Sequence, residues 1–169
     1  MHYFLFLLVS CCLLLLTVYH SSAGHQTHWA QGYQHLEGDV RWRHFYSAMN
    51  YYLTIDRSGL VRGTRNYHTN SIFQVYSVSI GVVAIHSAGS DLYLAMDKRG
   101  HVYGEENYGP NCRFRERIEE NGYNSYSSAS WSYKNQPMYV ALRWNGWVKK
   151  GRRTCYTHRS THFLPLLIY

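Results

Sequence analysis

The sequence predicts an all-β protein with pseudo-threefold symmetry, because one pattern occurs three times in its 169 residues. The copies cover residues 52–63, 93–104 and 139–151, and the third has one extra residue before its last glycine. Each copy alternates apolar and polar residues, passes a glycine, and resumes with valine. This pattern is typical of two antiparallel strands joined by a tight turn. Three evenly spaced hairpins in so short a chain favour a closed body, because a solenoid needs more copies and capping repeats.

Further strands are expected around these hairpins. Val40, Trp42 and Tyr46 are expected to lead into the first hairpin. Alternating residues or short apolar runs predict strand-like segments at residues 71–75, 81–85 and 112–116. Residues 123–133 are rich in serine and tyrosine and indicate a surface loop or an edge strand. Residues 162–165 close the body. Outside the N-terminal apolar run, no segment of helix length shows a period of about 3.6 residues.

An apolar run at residues 4–16 indicates a secretory signal peptide. The run is too short to span a bilayer comfortably, and the small residues Ser21, Ser22 and Ala23 follow it. We therefore expect residues 1–23 to be the signal peptide, with cleavage after Ala23, and the protein to be secreted and extracellular. A retained membrane anchor is the disfavoured alternative, because no basic flank follows the run.

The next segment, residues 24–36, is rich in histidine, glutamine and glycine and indicates a flexible N-terminal arm. Its His25, His28 and His35 could bind a metal weakly. A polar tail is favoured, because no acidic residue or cysteine completes a ligand set. Residues 37–169 are expected to form the single β domain, with no cofactor and no metal site.

Only two cysteines remain after the predicted cleavage, Cys112 and Cys155. Two cysteines do not form a disulfide scaffold, and a chain of this length can bury an adequate core without one. Cys112 lies in an alternating segment and is interpreted as a buried free thiol. Cys155 lies in a basic loop and is expected to be exposed. Pairing between the two stays open.

Charge is unevenly distributed along the chain. Residues 24–120 contain ten basic and ten acidic residues, whereas residues 121–169 contain seven basic residues and no acid, which accounts for the net charge of +7. A long block of one sign indicates a surface that binds a polyanion, and a solvated face that maintains solubility is the alternative. For a secreted protein the abundant polyanion is sulfated glycosaminoglycan rather than nucleic acid, and Arg side chains match sulfate oxygens well.

No pattern for catalysis is present in the predicted mature chain. It lacks the zinc-protease, redox-dithiol and nucleophile-elbow motifs. The acidic pairs at residues 105–106 and 119–120 are adjacent, and neighbours on a strand point to opposite faces, so neither pair forms a general acid/base dyad. An enzyme is therefore disfavoured.

The segments from Gly100 to Gly104 and from Asn111 to Glu116, followed by Tyr123, resemble the signature of the fibroblast growth factors. Other segments resemble the subfamily of factors 7, 10 and 22, namely residues 38–43, 116–124 and 162–165. The resemblance extends from about Leu36 to the C-terminus and so covers nearly the whole predicted mature chain.

The resemblance implies a β-trefoil of twelve strands in three pseudo-repeats, in agreement with the repeats found from the residues alone. Family members bind heparan sulfate and a receptor tyrosine kinase together, and they promote cell proliferation and differentiation. The chain is therefore expected to be a secreted growth factor, monomeric alone and dimeric with its receptor. Its expected partners are fibroblast growth factor receptors, in their epithelial splice forms, and heparan sulfate proteoglycan as co-receptor. Nucleic-acid binding and membrane insertion are not expected.

By resemblance, the heparin loop of the family corresponds to residues 143–159, framed by Gly146, Gly151 and Thr154. The heparin-binding residues that it implies are Arg143, Lys149, Lys150, Arg152, Arg153 and Arg159. The implied receptor-binding residues are Asp39, Arg41, Phe45, Glu119, Asn124, Tyr126, Leu164 and Leu166. The apolar members would act as anchors, and the polar members would fix register by hydrogen bonds. Core packing is the alternative for Phe45 and the two leucines, and turn chemistry is the alternative for Glu119 and Asn124.

The chain departs from the family pattern at several positions. Cys155 and Tyr156 stand where close relatives have basic residues, and Trp144 stands where the family often has one. The resemblance therefore implies weaker heparin binding than in strong binders. The cysteine that near relatives have before Ile72 is missing, so a disulfide from that position to Cys112 cannot form.

Three other classes of protein compete with the growth-factor hypothesis. A trefoil lectin would usually repeat a Gln-x-Trp motif, which is absent, and would not need a basic block. A secreted protease inhibitor on this scaffold would normally frame its exposed loop with disulfides. An unrecognised enzyme is the least favoured of the three.

Overall fold

A computed structural model describes residues 40–168. The predicted signal peptide and the predicted N-terminal arm lie outside the described residues. Within the described range, no helix is long and apolar enough to cross a membrane. These residues form eleven strands, joined by turns that include short 3-10 turns: β1 Val40–Ser47, β2 Tyr51–Ile55, β3 Val61–Thr64, β4 Phe73–Ser79, β5 Val82–Ser87, β6 Leu92–Met96, β7 Val102–Glu105, β8 Phe114–Ile118, β9 Asn124–Tyr133, β10 Gln136–Tyr139 and β11 Phe163–Leu167.

Six strands close into a barrel through antiparallel pairs. β1 pairs with β4 and β11, β4 with β5, β5 with β8, β8 with β9, and β9 with β11. Closure leaves these six strands without a free edge between them. The hairpins β2–β3 and β6–β7 and a third hairpin after β10 complete the fold. The all-β prediction and the pseudo-threefold symmetry are confirmed, and the architecture is that of a β-trefoil.

The third hairpin is less regular than the other two. The pairing of Leu142 with Val148 is an isolated bridge, and the amide of Lys149 donates to the carbonyl of Ala141 at 2.8 Å. These contacts repeat the register of the first hairpin, where Ile55 pairs with Val61. The register ends where the third copy has its extra residue. The described chain therefore has eleven strands rather than the twelve that the resemblance implies.

The repeated glycines form a closed ring of backbone hydrogen bonds. The turn glycines Gly59, Gly100 and Gly146 have φ values of +82°, +79° and +82°, a conformation that favours glycine. Each accepts a hydrogen bond from the last glycine of another copy. Gly104 donates to Gly59 at 2.8 Å, Gly151 to Gly100 at 2.7 Å, and Gly63 to Gly146 at 2.7 Å. The ring links each hairpin to the next and explains why both glycines recur.

Two of the hairpin turns are held by an aspartate. A carboxylate oxygen of Asp56 accepts from the amides of Ser58 and Leu60, and Asp97 accepts from the amides of Arg99 and His101. The hydroxyl of Ser58 also donates to Asp56 and is the main cause that lowers its pKa. Burial raises the pKa of Asp97, but the hydrogen bonds from His101 and Arg99 outweigh burial and lower it overall.

A second threefold feature starts three of the barrel strands. Short 3-10 turns at Thr69–Ser71, Pro110–Cys112 and Arg159–Thr161 each end two positions before a phenylalanine. The three phenylalanines are buried at the centre of the hydrophobic core, at positions 73, 114 and 163. The core is filled from all three repeats, which matches the symmetry of the ring.

One element differs clearly from its prediction. Residues 124–133 form β9, which pairs with β8, β10 and β11, so the segment is neither a loop nor an edge strand. Its serines are small enough to pack inside the barrel wall, and Ser125, Ser127 and Ser128 are buried. The predicted strand at residues 112–116 also begins later, at Phe114, because Cys112 belongs to a 3-10 turn.

Candidate binding surfaces

The basic surface consists of the six predicted heparin-binding residues, and it is assembled from three segments of the chain. Arg143 begins the turn of the third hairpin, and Arg159 begins a 3-10 turn. The amide of Leu142 donates to the carbonyl of Ser160 at 3.0 Å, which holds these two segments side by side. The remaining members follow the hairpin and lie around the 3-10 turn Gly151–Arg153. All six are exposed or half-buried.

The side chains of the basic surface have few internal partners. Lys149 Nζ lies 3.3 Å from His158 Nδ1. Arg152 donates to the carbonyl of Lys98 at 3.2 Å, and its guanidinium carbon lies 4.8 Å from the ring centre of Tyr133. Within residues 40–168, no ion pair joins any of the six to a carboxylate. Their charge is therefore available to an external anion.

Two lysines outside the predicted heparin-binding set lie beside the basic surface. The backbone carbonyl of Lys98 accepts a hydrogen bond from Arg152. Lys134 Nζ lies 5.6 Å from the centre of the Tyr133 ring, which Arg152 also contacts. Lys134 lies nine positions before Arg143 and so outside the basic loop, and Lys98 lies in another repeat. The hydrogen bonds from Gly151 to Gly100 and from Arg152 to Lys98 join that repeat to the basic loop.

Polar residues predicted to bind a receptor meet in one network centred on Glu116. Arg41 donates to Glu116 at 3.0 Å, and the hydroxyl of Tyr126 donates to it at 2.9 Å. The amide nitrogen of Asn124 donates to Glu116 at 3.2 Å. Burial raises the pKa of Tyr126 well above its usual value, and the negative charge of Glu116 adds to this, so the phenol keeps its proton and remains a donor. Glu116 itself was not among the predicted site residues.

Glu119 has a separate set of contacts. The hydroxyl of Ser125 donates to Glu119, and Arg117 Nε lies 3.5 Å from its other oxygen. Its amide also donates to the carbonyl of Tyr123 at 2.7 Å, which closes the turn between β8 and β9. Turn chemistry therefore accounts for part of the role of Glu119. Asp39, another predicted receptor-binding residue, lies outside the described residues.

Two predicted apolar anchors are not on the surface. Phe45 is 1% exposed and packs edge-on against Tyr126, with ring centres 5.1 Å apart, while Tyr126 is 2% exposed. Both belong to the core, so the assignment of either ring as a surface anchor is wrong. Alternation along β1 turns Tyr46 to the opposite face from Phe45, and Tyr46 is half-buried. The side chain next to the predicted one therefore reaches the surface.

An apolar face does exist on β1 and β11. Leu164 lies opposite Tyr46, and Leu166 lies opposite His44. Leu166 is 38% exposed, and Leu164 is half-buried. Trp42 shares this side of β1 and is exposed, but it was not among the predicted site residues. We call the set of Trp42, His44, Tyr46, Leu164 and Leu166 the apolar face.

The two cysteines have different environments and are both free thiols. Burial raises the pKa of Cys112 to about 11. The hydroxyl of Thr157 donates to the sulfur of Cys155, which lowers the pKa of this half-buried thiol. Among the described residues, no group of three histidine, cysteine or acidic side chains could hold a metal ion.

Comparison with known proteins agrees with the fold. The family model described as fibroblast growth factor matches residues 41–164. The chain is 49% identical to fibroblast growth factor 22 of Mus musculus over 138 residues, which cover 81% of this chain and 85% of that protein. It is 45% identical to fibroblast growth factor 10 of Mus musculus over 149 residues, covering 88% and 70%.

Fibroblast growth factor 7 of Homo sapiens is 38% identical over 140 residues, which cover 82% of this chain and 72% of that protein. All three factors belong to the subfamily that the sequence motifs resemble, and factor 22 is the member that those motifs indicate. A matching family model over most of the domain and relatives of this similarity leave no ambiguity. The chain is a growth factor with a β-trefoil fold and belongs to the fibroblast growth factor family.

Proposed function

We propose that this chain is a secreted growth factor that binds heparan sulfate and activates fibroblast growth factor receptor tyrosine kinases. Family membership supports receptor activation, and the apolar run at residues 4–16 supports secretion. The observation that carries the heparan sulfate part is the basic surface. Three segments converge there, and none of the six predicted side chains is neutralised by a carboxylate within residues 40–168.

The receptor site proposed here combines the apolar face with the Glu116 network. Trp42, Tyr46 and Leu166 offer apolar contact area, which is typical of the centre of an interface. Arg41 is held by Glu116, so it would present its guanidinium without a large loss of side-chain entropy. Asn124 is buried and supports this network from inside. Phe45 and Tyr126 support this surface from below. By analogy with the subfamily, the epithelial splice forms of the receptors are the proposed partners.

Heparan sulfate would then act as a co-receptor. A growth factor held on a polyanion meets its receptor at a raised effective concentration, and one chain of polysaccharide can engage both proteins. The growth factor is proposed to be monomeric alone and to act in a dimeric receptor complex.

Receptor phosphorylation tests this function directly. Purified residues 24–169 are added to cells that lack heparan sulfate and express one receptor isoform at a time, with and without heparin. Phosphorylation that depends on heparin, and that is strongest for the epithelial splice forms, is expected. Folded protein that phosphorylates no isoform would exclude the proposed signalling role.

Heparin chromatography tests the basic surface separately. Replacing Lys149, Lys150 and Arg153 by glutamine should move elution to clearly lower salt, because exposed charge contacts are screened by ions. The matched control removes three exposed charges elsewhere on the domain, at Arg57, Arg113 and Arg115. Equal shifts for both variants would indicate a response to net charge alone and would place no specific site at the basic surface.

A further inference from the structure

Two tryptophans are exposed on the turn of the third hairpin. Trp144 is 82% exposed and Trp147 is 50% exposed. Exposed aromatic rings of this size carry a large unfavourable apolar area in water, which burial against a ligand would recover. Neither ring is needed by the core, which is filled by other residues.

The turn that carries these rings is firmly held. Arg143 and Trp147 close it, with the amide of Arg143 donating to the carbonyl of Trp147 at 2.8 Å. The hydroxyl of Tyr51 donates to the carbonyl of Trp144 at 3.1 Å, and Gly63 donates to Gly146. A ring attached to a fixed backbone loses less conformational freedom on binding than one on a mobile loop.

The charge around the turn is positive. Arg143 directly precedes Trp144, and Lys149 follows Trp147 by two residues. Arg62 on β3 lies opposite Trp147 in an isolated antiparallel backbone pair. The chain has no acidic residue from position 121 onwards. A ligand that matches this surface must therefore combine negative groups with flat apolar faces.

Sulfated polysaccharides have this combination. Each pyranose ring has C–H groups on its faces, and its sulfates and carboxylates project from the edges. An indole ring can lie against such a face while Arg and Lys bind the edge anions.

We propose that Trp144 and Trp147 form a ring-stacking subsite for the sugar units of a sulfated glycosaminoglycan, next to the basic surface. The subsite rests on the proposed heparan sulfate binding and adds to it a part of the affinity that does not depend on salt. It compensates for the basic residue that the family often has at position 144.

Affinity measured over a range of salt concentrations separates stacking from charge. The slope of log affinity against log salt reports the number of ionic contacts, and binding that persists at high salt reports the remainder. For a heparin oligosaccharide, Trp144→Leu should weaken binding roughly fivefold to tenfold at every salt concentration with an unchanged slope. Trp144→Phe keeps an aromatic face and should retain most of the affinity.

The matched control is Tyr67→Leu, which removes a 71% exposed aromatic ring that belongs to neither proposed binding surface and should leave heparin binding unchanged. Trp144→Leu with wild-type affinity, or Trp144→Phe as weak as Trp144→Leu, would overturn the stacking subsite. In those cases a steep salt slope for the wild type would still support the basic surface. A flat slope would instead remove the proposed heparan sulfate site itself.

Anionic membranes are the competing occupant of an aromatic and basic turn. Binding to vesicles of equal parts phosphatidylcholine and phosphatidylserine is therefore measured for the same variants. Loss of vesicle binding by Trp144→Leu, with heparin affinity unchanged, would assign the turn to lipid and overturn the proposal. Weakened heparin binding without an effect on vesicles would support it.

Discussion

Replacing Glu116 by glutamine should show how strongly one carboxylate holds the proposed receptor surface. Glu116 accepts hydrogen bonds from Arg41, Asn124 and Tyr126. Glutamine has nearly the same shape and keeps one acceptor oxygen, but its NH₂ group cannot accept from the guanidinium. The substitution therefore leaves Arg41 without the negative charge that it pairs with at 3.0 Å.

The size of the effect follows from these contacts. A hydrogen bond to a charged group contributes roughly 1.5–3 kcal/mol. The side chain of Arg41 is 28% exposed, so water screens part of the loss. We expect a loss of about 1–2 kcal/mol in the free energy of unfolding, and a decrease in Tm of about 4 °C per kcal/mol.

Urea unfolding provides the measurement, with the midpoint falling and the m-value unchanged. Glu106→Gln is the matched control, because it removes the same charge at an exposed position and should have almost no effect. A double-mutant cycle with Arg41→Met should give a coupling energy of about 1 kcal/mol. Additivity of the two substitutions to within about 0.4 kcal/mol would refute the argument that the pair is coupled.

Further predictions concern the ring, the turns and the thiols. Gly104→Ala would place a Cβ 2.7 Å from a methyl carbon of Ile55 and should lower the free energy of unfolding, measured in urea, by about 1–3 kcal/mol. The control is Gly109→Ala, whose Cβ meets nothing within 4 Å and which should be neutral. Equal effects of the two substitutions would contradict the role of close packing. Asp56 and Asp97 have pKa values below the ordinary 3.8, so their contribution to stability is present above pH 3.8 and is lost as the pH falls below it. Replacing both by asparagine should flatten the acid side of a curve of unfolding free energy against pH. An unchanged curve would contradict this. A thiol reagent should modify Cys155 in the folded mature chain and should reach Cys112 only after unfolding. Equal reaction rates of Cys112 and Cys155 in the folded protein would contradict the burial of Cys112.

The repeat pattern predicted the architecture because it records backbone requirements. A glycine at positive φ is required at Gly59 and its equivalents, and neighbouring side chains leave no room for a Cβ at Gly63 and its equivalents, so both positions recur in the sequence as glycine. The single charge block likewise predicted the basic surface, because its residues are close in sequence. Both signals are local to a repeat or a loop.

Other features depend on contacts that no local pattern records. The segment at residues 40–47 has no clean alternation, so the sequence could not decide whether Phe45 or Tyr46 faces the core. Glu116 and Arg41 are 75 positions apart. The serines of β9 suggested a surface because serine is usually exposed, but the narrow barrel wall buries small side chains there.

The glycine ring also explains how one repeat could become specialised for binding. Its links join backbone atoms, so they do not depend on which side chains the three turns carry. The first two turns have Asp56 and Asp97, whereas Arg143 occupies the equivalent position in the third, beside Trp144. A symmetric scaffold can thus carry an asymmetric surface, and new ligand chemistry can arise at one turn at little cost to the fold.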